Sequence, residues 1–177
     1  MIKSEAIESV KDVISGIIEK MGVEGTIEIR EHPETVVFNI RTRDSNMLIG
    51  QHGINLAALQ YICRVLSKRK FPESQDLDFI IDVDDYKKKR EGYLVSLAEK
   101  VYKEALHSKK IIVLKPMTSY ERRLIHTALS KTDGVVTGSV GEEPDRMVIV
   151  KPLESKDLEV NTDKVRFDEY EDYVIYE

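Results

Sequence analysis

Apolar residues recur at helical spacing through the first twenty positions and then alternate with polar residues. Residues 4–21 therefore predict an amphipathic helix, and residues 26–31 and 35–41 predict two strands joined by a proline turn. Residues 45–49 predict a very short helix, which the glycine-bearing segment 50–53 interrupts. The first fifty residues thus have the order helix, strand, strand, helix.

The next predicted helix carries an unusually regular apolar stripe. It starts at Ile54 and ends near Arg69, and Cys63 falls on the side of the helix away from the stripe. The stripe consists of Ile54, Ala57, Ala58, Tyr61, Ile62, Val65 and Leu66. Residues 77–83 predict a third strand, so this part of the chain reads as one α+β unit of about 80 residues.

A long helix follows without a linker rich in Gly, Pro or Ser. Asp84 or Asp85 is expected to cap it, and a basic run from Lys87 to Arg90 occupies its first turn. The residues predicted for its buried side are Tyr93, Leu94, Leu97, Ala98, Val101 and Ala105. If this helix is continuous, it joins the first unit to a second one.

The second unit is predicted to be a small α/β domain. Residues 111–114 predict a strand, and residues 118–130 predict a helix that begins with the capping-box spacing of Thr118 and a glutamate three positions later. Residues 135–140 and 147–150 predict a hairpin.

The net charge of −5 is concentrated at the C-terminal end. Residues 154–177 hold nine acidic and three basic residues, which leaves the rest of the chain near neutral. This tail also carries tyrosines, so it is expected to dock as a strand or apolar arm. The single cysteine excludes an intrachain disulfide, and no stretch has the length of a membrane helix or the pattern of a signal peptide. These features predict a cytoplasmic protein without a membrane partner.

A glycine-flanked segment, Gly50-Gln51-His52-Gly53, lies between two predicted helices. Glycines let a phosphate backbone approach the main chain, and the start of the next helix presents free N–H groups. Such a loop resembles that of the KH domain, which clamps about four nucleotides of a single strand. The resemblance implies a groove lined by Ile40, Ile49, Ile54 and Ala57, and the element order resembles the type II arrangement. The alternative interpretation is a plain glycine turn. The absence of Lys and Arg between the glycines predicts weaker affinity.

A second candidate site lies on the helix predicted at residues 118–130. Arg122 and His126 are four residues apart, so they share a face on which a guanidinium and an imidazole suit a phosphate beside a stacked base. This spacing resembles the signature of the R-3-H domain, although such a pair is also common among surface residues. Arg123, Arg146 and Lys151 are secondary candidates for backbone contact, and Arg146 has the alternative of pairing with Glu142 or Glu143.

A longer run makes the resemblance more specific. Lys115-Pro116-Met117, Tyr120-Glu121-Arg122-Arg123-Leu124-Ile125-His126 and Gly141-Glu142-Glu143-Pro144-Asp145-Arg146 follow the KH-like unit in this order. The chain thereby resembles the Jag family, the SpoIIIJ-associated RNA-binding proteins of bacteria. That resemblance implies a type II KH domain over residues 1–84, an R-3-H domain over residues 85–153 and an acidic tail over 154–177, without the N-terminal Jag domain of longer members.

The same resemblance implies binding of single-stranded RNA, with single-stranded DNA as a possible competitor. It also implies post-transcriptional control linked to the cell envelope and division, and a homodimer or a heterodimer with a single-KH protein. No cofactor, metal or catalytic residue is expected.

Two alternative functions stay open. Asp82, Asp84 and Asp85 follow a strand and could hold Mg²⁺ for a nuclease, although Asp84 and Asp85 are also ordinary helix caps. A protein-interaction scaffold built on KH pairing is the other alternative, in which the acidic tail imitates nucleic acid and covers a basic face.

Overall fold

The computed structural model describes residues 2–70, 77–153 and 173–176. The chain forms two compact units that divide between Lys88 and Lys89, and each is described by itself. Most of the predicted acidic tail, residues 154–172, lies outside the described residues.

The first unit is a three-stranded sheet with helices, in the predicted order. Its elements are α1 (Ile2–Lys20), β1 (Gly25–Glu31), β2 (Val36–Thr42), α2 (Ser45–Ile49), α3 (Ile54–Lys70) and β3 (Phe79–Val83). Strand β2 lies in the centre, antiparallel to β1 and parallel to β3. Alternate residues of the strands enter one core, in which Phe38 pairs across the sheet with Ile81 and both are fully buried. The α+β class and the type II KH order are confirmed.

Helix α3 packs against this core with the side that the apolar stripe does not occupy. Its buried residues are Leu56, Leu59, Cys63 and Ser67, whereas Ile54 and Tyr61 of the stripe are 64% and 69% exposed. Burial raises the pKa of the Cys63 thiol to about 12, so this cysteine is a structural residue. The predicted stripe is real in the sequence, but it faces away from the core.

The second unit contains a four-stranded sheet. Its elements are α4 (Tyr86–Ser108), which begins in the last residues of the first unit, β4 (Ile111–Leu114), α5 (Ser119–Leu129), β5 (Val135–Val140), β6 (Met147–Pro152) and β7 (Tyr173–Tyr176). The strand order is β5-β6-β4-β7. Helices α4 and α5 contribute Leu94, Val101 and Ile125 to its core. Five of the six residues predicted for the buried side of α4 are buried, but Tyr93 is 50% exposed, which corrects its assignment.

The cap of α5 has the predicted form. The Thr118 hydroxyl accepts a hydrogen bond from the Glu121 backbone N–H, and the Glu121 carboxylate accepts one from the Thr118 N–H. Both halves of a capping box are therefore present, which satisfies two N–H groups that the helix start leaves without a partner.

The last described residues form the outer strand of the second sheet. β7 runs parallel to β4, with Val174 opposite Ile112, and Val174 and Tyr176 pack against the core. This part of the tail therefore docks as a strand, as expected, and it covers the edge of β4 that would otherwise present unpaired backbone groups.

The strand β7 is expected to contribute to the stability of the second unit. Val174→Asp places a carboxylate against the apolar core and should lower the free energy of unfolding by about 1–3 kcal/mol. Val174→Ile is the control and should stay within about 1 kcal/mol of the native chain. Urea unfolding measures both, and equal midpoints for the two variants would show that β7 adds nothing to stability.

Candidate nucleic-acid interface

The glycine loop joins α2 to α3 through a tight, left-handed backbone. Gly50 and Gly53 have φ of 68° and 81°, and His52 between them has φ of 53°. One turn of 3-10 helix over Gln51–Gly53 leads directly into α3. Gln51 is exposed, so the loop presents its side chain to solvent together with the N-terminal end of α3.

The two glycines are required by contacts inside the unit. A Cβ added to Gly50 would lie 2.5 Å from the Cγ of Asn55, whose side-chain amide donates a 2.8 Å hydrogen bond to the Met47 carbonyl. A Cβ added to Gly53 would lie 3.1 Å from the ring of Tyr86. Asn55 and Tyr86 thus fix the loop from within, a role that the glycine spacing alone did not indicate.

The contact of Tyr86 with Gly53 places two lysines next to the loop. It is the first residue of α4 and packs against Gly53, so Lys87 and Lys88 follow beside a loop that itself contains neither Lys nor Arg. Both lysines are exposed. Cations next to a glycine loop can neutralise the phosphates that such a loop admits.

The predicted groove residues are only partly available. Ile54 and Ala57 are exposed on α3, and Ile49 is half-buried against the core. Ile40 is a correction, because it lies in the centre of β2 with no exposed surface and cannot contact bases. Its inward direction follows from the strand period that also buries Phe38.

The acidic residues proposed for a nuclease are engaged by other groups. Asp82 accepts hydrogen bonds from the backbone N–H groups of Val83 and Lys87, so Asp82 rather than Asp84 or Asp85 stabilises the start of α4. Asp85 instead receives Arg30 at 2.7 Å and Arg41 at 2.8 Å. Hydrogen bonds from these guanidinium groups lower the pKa of Asp85. A carboxylate that two arginines already neutralise is a poor ligand for a divalent cation.

Arg122 of α5 is mostly buried and bonded within the unit. Only 8% of the residue is exposed, and its guanidinium donates to the Met117 carbonyl at 2.7 Å and to the Glu143 carboxylate at 2.5 Å. Glu143 lies on the loop between β5 and β6, so this pair fastens the hairpin to α5. Arg122 lowers the pKa of Glu143 chiefly through that hydrogen bond.

His126 makes a second connection between α5 and the hairpin. Its Nδ1 lies 2.8 Å from the Thr137 hydroxyl and its Nε2 lies 2.9 Å from the Ser139 hydroxyl. Thr137 and Ser139 are two apart on β5, so their side chains project from the same face of the strand. Burial, and then the charge of Arg122, lower the pKa of His126, so the neutral ring is favoured.

The secondary candidates fall on different surfaces. Arg123 is exposed on α5, and Arg146 is half-exposed near Glu143, whose pKa its charge helps to lower. Lys151 pairs with Val136 on β6, and the alternation of these strands directs both side chains to the sheet face opposite α5. The structure therefore does not bring Lys151 together with Arg122 and His126.

The described residues contain neither a membrane-spanning helix nor a metal-binding cluster. Among residues 2–70, 77–153 and 173–176, no helix combines the length and apolar character required to cross a bilayer. Within those same ranges, no three His, Cys, Asp or Glu side chains are grouped so as to hold a metal ion.

Comparison with known proteins identifies the second unit and relates most of the chain to a named group. Residues 93–152 match the model of the R-3-H domain. RNA-binding protein KhpB of Bacillus subtilis is 31% identical over 150 residues, which cover 84% of this chain and 71% of that protein. KhpB of Clostridium symbiosum is 32% identical, covering 84% and 65%. KhpB of Lactiplantibacillus plantarum is 31% identical, covering 82% and 44%, so the chain spans less than half of that relative.

The environment of His126 predicts how the second unit responds to acid. Because folding lowers the pKa of this histidine, its contribution to stability is complete above the unfolded pKa of about 6.5 and is lost as the pH falls through the folded pKa. His126→Gln removes this titration. The difference in unfolding midpoint between the native chain and the variant should therefore shrink from pH 7.5 to pH 5.5. A difference that is constant or grows across that interval would contradict the assignment.

Proposed function

The chain belongs to the KhpB family, the Jag family of the sequence resemblance, and from this membership we propose that it binds single-stranded RNA with both units. The relatives are named RNA-binding proteins, and the R-3-H unit and KH-type unit are both present here. We further propose that it acts as a post-transcriptional regulator. Single-stranded DNA offers the same phosphates and is expected to compete, because the groups proposed for the interface contact phosphates and do not read the 2′-hydroxyl.

The loop between α2 and α3 is the observation that carries this proposal. It combines an exposed Gln51, the N-terminal end of α3, and Lys88 on the neighbouring turn of α4. These groups donate hydrogen bonds or positive charge without selecting a base. In the second unit, Arg123 is the exposed cation of α5. Arg122 and His126 instead hold α5 against the hairpin of β5 and β6.

A binding role rather than catalysis is supported by the state of the carboxylates. Asp85 is paired with two arginines and Asp82 with backbone N–H groups, so the acids that a metal-dependent nuclease would use hold the fold instead. Incubating labelled RNA with the chain and Mg²⁺ should leave the RNA intact. Cleavage that Asp82→Ala abolishes would replace this proposal with the nuclease alternative.

The charge at position 51 tests the loop without disturbing its glycines. Gln51→Lys is expected to tighten binding of an unstructured oligoribonucleotide about fivefold at low salt, and Gln51→Glu to weaken it about fivefold, because one charge near a phosphate is worth about 1 kcal/mol. Fluorescence anisotropy of a labelled oligonucleotide measures both.

The control is Glu34→Gln, which adds the same unit of positive charge in the turn between β1 and β2, at the end of the sheet away from the loop. This change should leave affinity nearly as in the native chain. Equal changes in affinity at positions 34 and 51 would show that only the net charge of the chain matters. If neither Gln51 variant changes the affinity, the loop is not part of the interface.

The exposed stripe on α3 supports a second role in self-association. Tyr61, Ile62, Val65 and Leu66 form a contiguous apolar surface in the middle and last turns of the helix, beyond the residues nearest the glycine loop. Apolar surfaces of this kind are characteristic of protein interfaces. A face without charged residues at its centre is complementary to a second copy of itself, which is the isologous contact of a two-fold dimer. We therefore assign this surface to pairing with a second copy of the chain.

Ile62→Glu is expected to make the chain monomeric, because it places a charge in the centre of the paired surface. Light scattering after size-exclusion chromatography measures the mass, and Val95→Glu on α4, another exposed apolar position, is the control that should still dimerise. A native chain that stays monomeric up to about 0.1 mM would exclude a second copy as the partner and leave the single-KH protein to be tested by mixing.

A further inference from the structure

Two tyrosine rings of the second unit are exposed where α4 and α5 meet. Tyr93 is 50% exposed although its spacing predicts a core position, and Tyr120, in the first turn of α5, is 58% exposed. A single exposed aromatic residue is ordinary. These two rings differ from that case because each is held in place by a side chain of α4.

Tyr93 is stacked by an arginine that a buried carboxylate fixes. The guanidinium of Arg90 lies 5.4 Å from the centre of the Tyr93 ring, and its Nε donates a 2.6 Å hydrogen bond to Glu121. Only 4% of Glu121 is exposed, and its other oxygen accepts the Thr118 N–H at 3.0 Å. Arg90 therefore occupies one face of the ring in a fixed position, while half of the tyrosine stays exposed.

Tyr120 is tethered in a different way. Its hydroxyl donates a 2.5 Å hydrogen bond to the carboxylate of Glu91, the residue that follows Arg90 on α4. The ring is thus held at its polar end and exposed along its body. Arg123 lies one helical turn further along α5 and is exposed as well. Its charge is close enough to oppose the rise in the Tyr120 pKa that Glu91 causes.

We propose that Tyr93 and Tyr120 form a stacking platform for unpaired bases, with Arg123 contacting the phosphates between or beside them. Stacking on tyrosine accepts every base, because each base has an aromatic face, and ordering the rings before binding removes part of the entropic cost. The positive charge of the exposed Arg123 is complementary to the polyanion. This inference rests on the proposed RNA binding and adds residues to the site in the second unit.

The chain contains no tryptophan, so a single tryptophan introduced at position 93 or 120 is the only indole and its fluorescence reports on that position alone. The variants Y93W and Y120W should each lose fluorescence, by about half at saturation, when an unstructured uridine oligonucleotide binds and a base stacks on the introduced indole. V95W is the control, since Val95 is 42% exposed on the same helix but two residues away from Tyr93, on another side. Its fluorescence should remain nearly unchanged.

A second measurement separates bases from charge. Y93A and Y120A should each weaken binding of the uridine oligonucleotide about tenfold and leave binding of an abasic sugar-phosphate strand of equal length unchanged. R123A should weaken the binding of both the oligonucleotide and the abasic strand. Y120F keeps the ring but loses the bond to Glu91, so most of its binding should remain.

The outcomes distinguish this inference from the function it rests on. If anisotropy shows that the native chain binds the oligonucleotide while Y93W and Y120W keep full fluorescence and both alanine variants bind normally, the platform is wrong and RNA binding stands. If the native chain binds neither the oligonucleotide nor the abasic strand, the proposed function fails, and the platform fails with it.

Discussion

A guanidinium or an imidazole that this fold buries has to find hydrogen-bond partners inside the unit, because a buried charge without a partner would cost several kcal/mol. Arg122 meets this requirement with a backbone carbonyl and Glu143, and His126 meets it with two hydroxyl groups on β5. Both residues of the signature on α5 are therefore used first to fasten the hairpin to the helix. The neighbouring Tyr120 and Arg123 are not buried in this way, and both are exposed on α5, where a ligand can reach them.

The hydrophobic pattern was sufficient to predict each described α-helix and strand up to Pro152, and the ends that it predicted lie within about two residues of those observed. It did not predict where α4 ends or the 3-10 turn over Gln51–Gly53. It could not decide which side of α3 meets the core. Leu59 and Cys63 repeat at helical spacing just as Ile54, Ala58 and Ile62 do, and only the packing against the sheet selects between them. The prediction that Tyr93 is buried was wrong for a related reason. An aromatic side chain at a core spacing can instead pack against a neighbouring guanidinium at the surface, as Tyr93 does against Arg90. Ile40 was misassigned because a residue near a binding loop in sequence can still point into the core.

The glycine loop could be located from its sequence, but the reason for its glycines could not. Spacing suggested that Gly50 and Gly53 are small so that a phosphate can approach. Their positive φ angles and the packing of Asn55 and Tyr86 against their Cα atoms already require glycine in the absence of any ligand. A substitution such as Gly50→Asp therefore damages the loop whether or not RNA binds there, and a loss of binding would not identify the cause. The side chain of Gln51 is exposed, so a substitution there leaves the packing at Gly50 and Gly53 intact. A change of charge at position 51 is therefore the more informative test.

The kinds of group gathered in the two units also bear on selectivity. The N-terminal end of a helix, lysine and arginine cations, and tyrosine faces all interact with parts of a nucleotide that every nucleotide has. Reading a base requires donors and acceptors directed at its edges, and the buried Arg122 and His126, which have the most directional groups, are already bonded to the protein. The proposed interface would favour any unpaired strand over a duplex, in which the bases are stacked on each other and closed to the tyrosines. Selection among transcripts would then follow from which segments are unpaired, more than from their sequence.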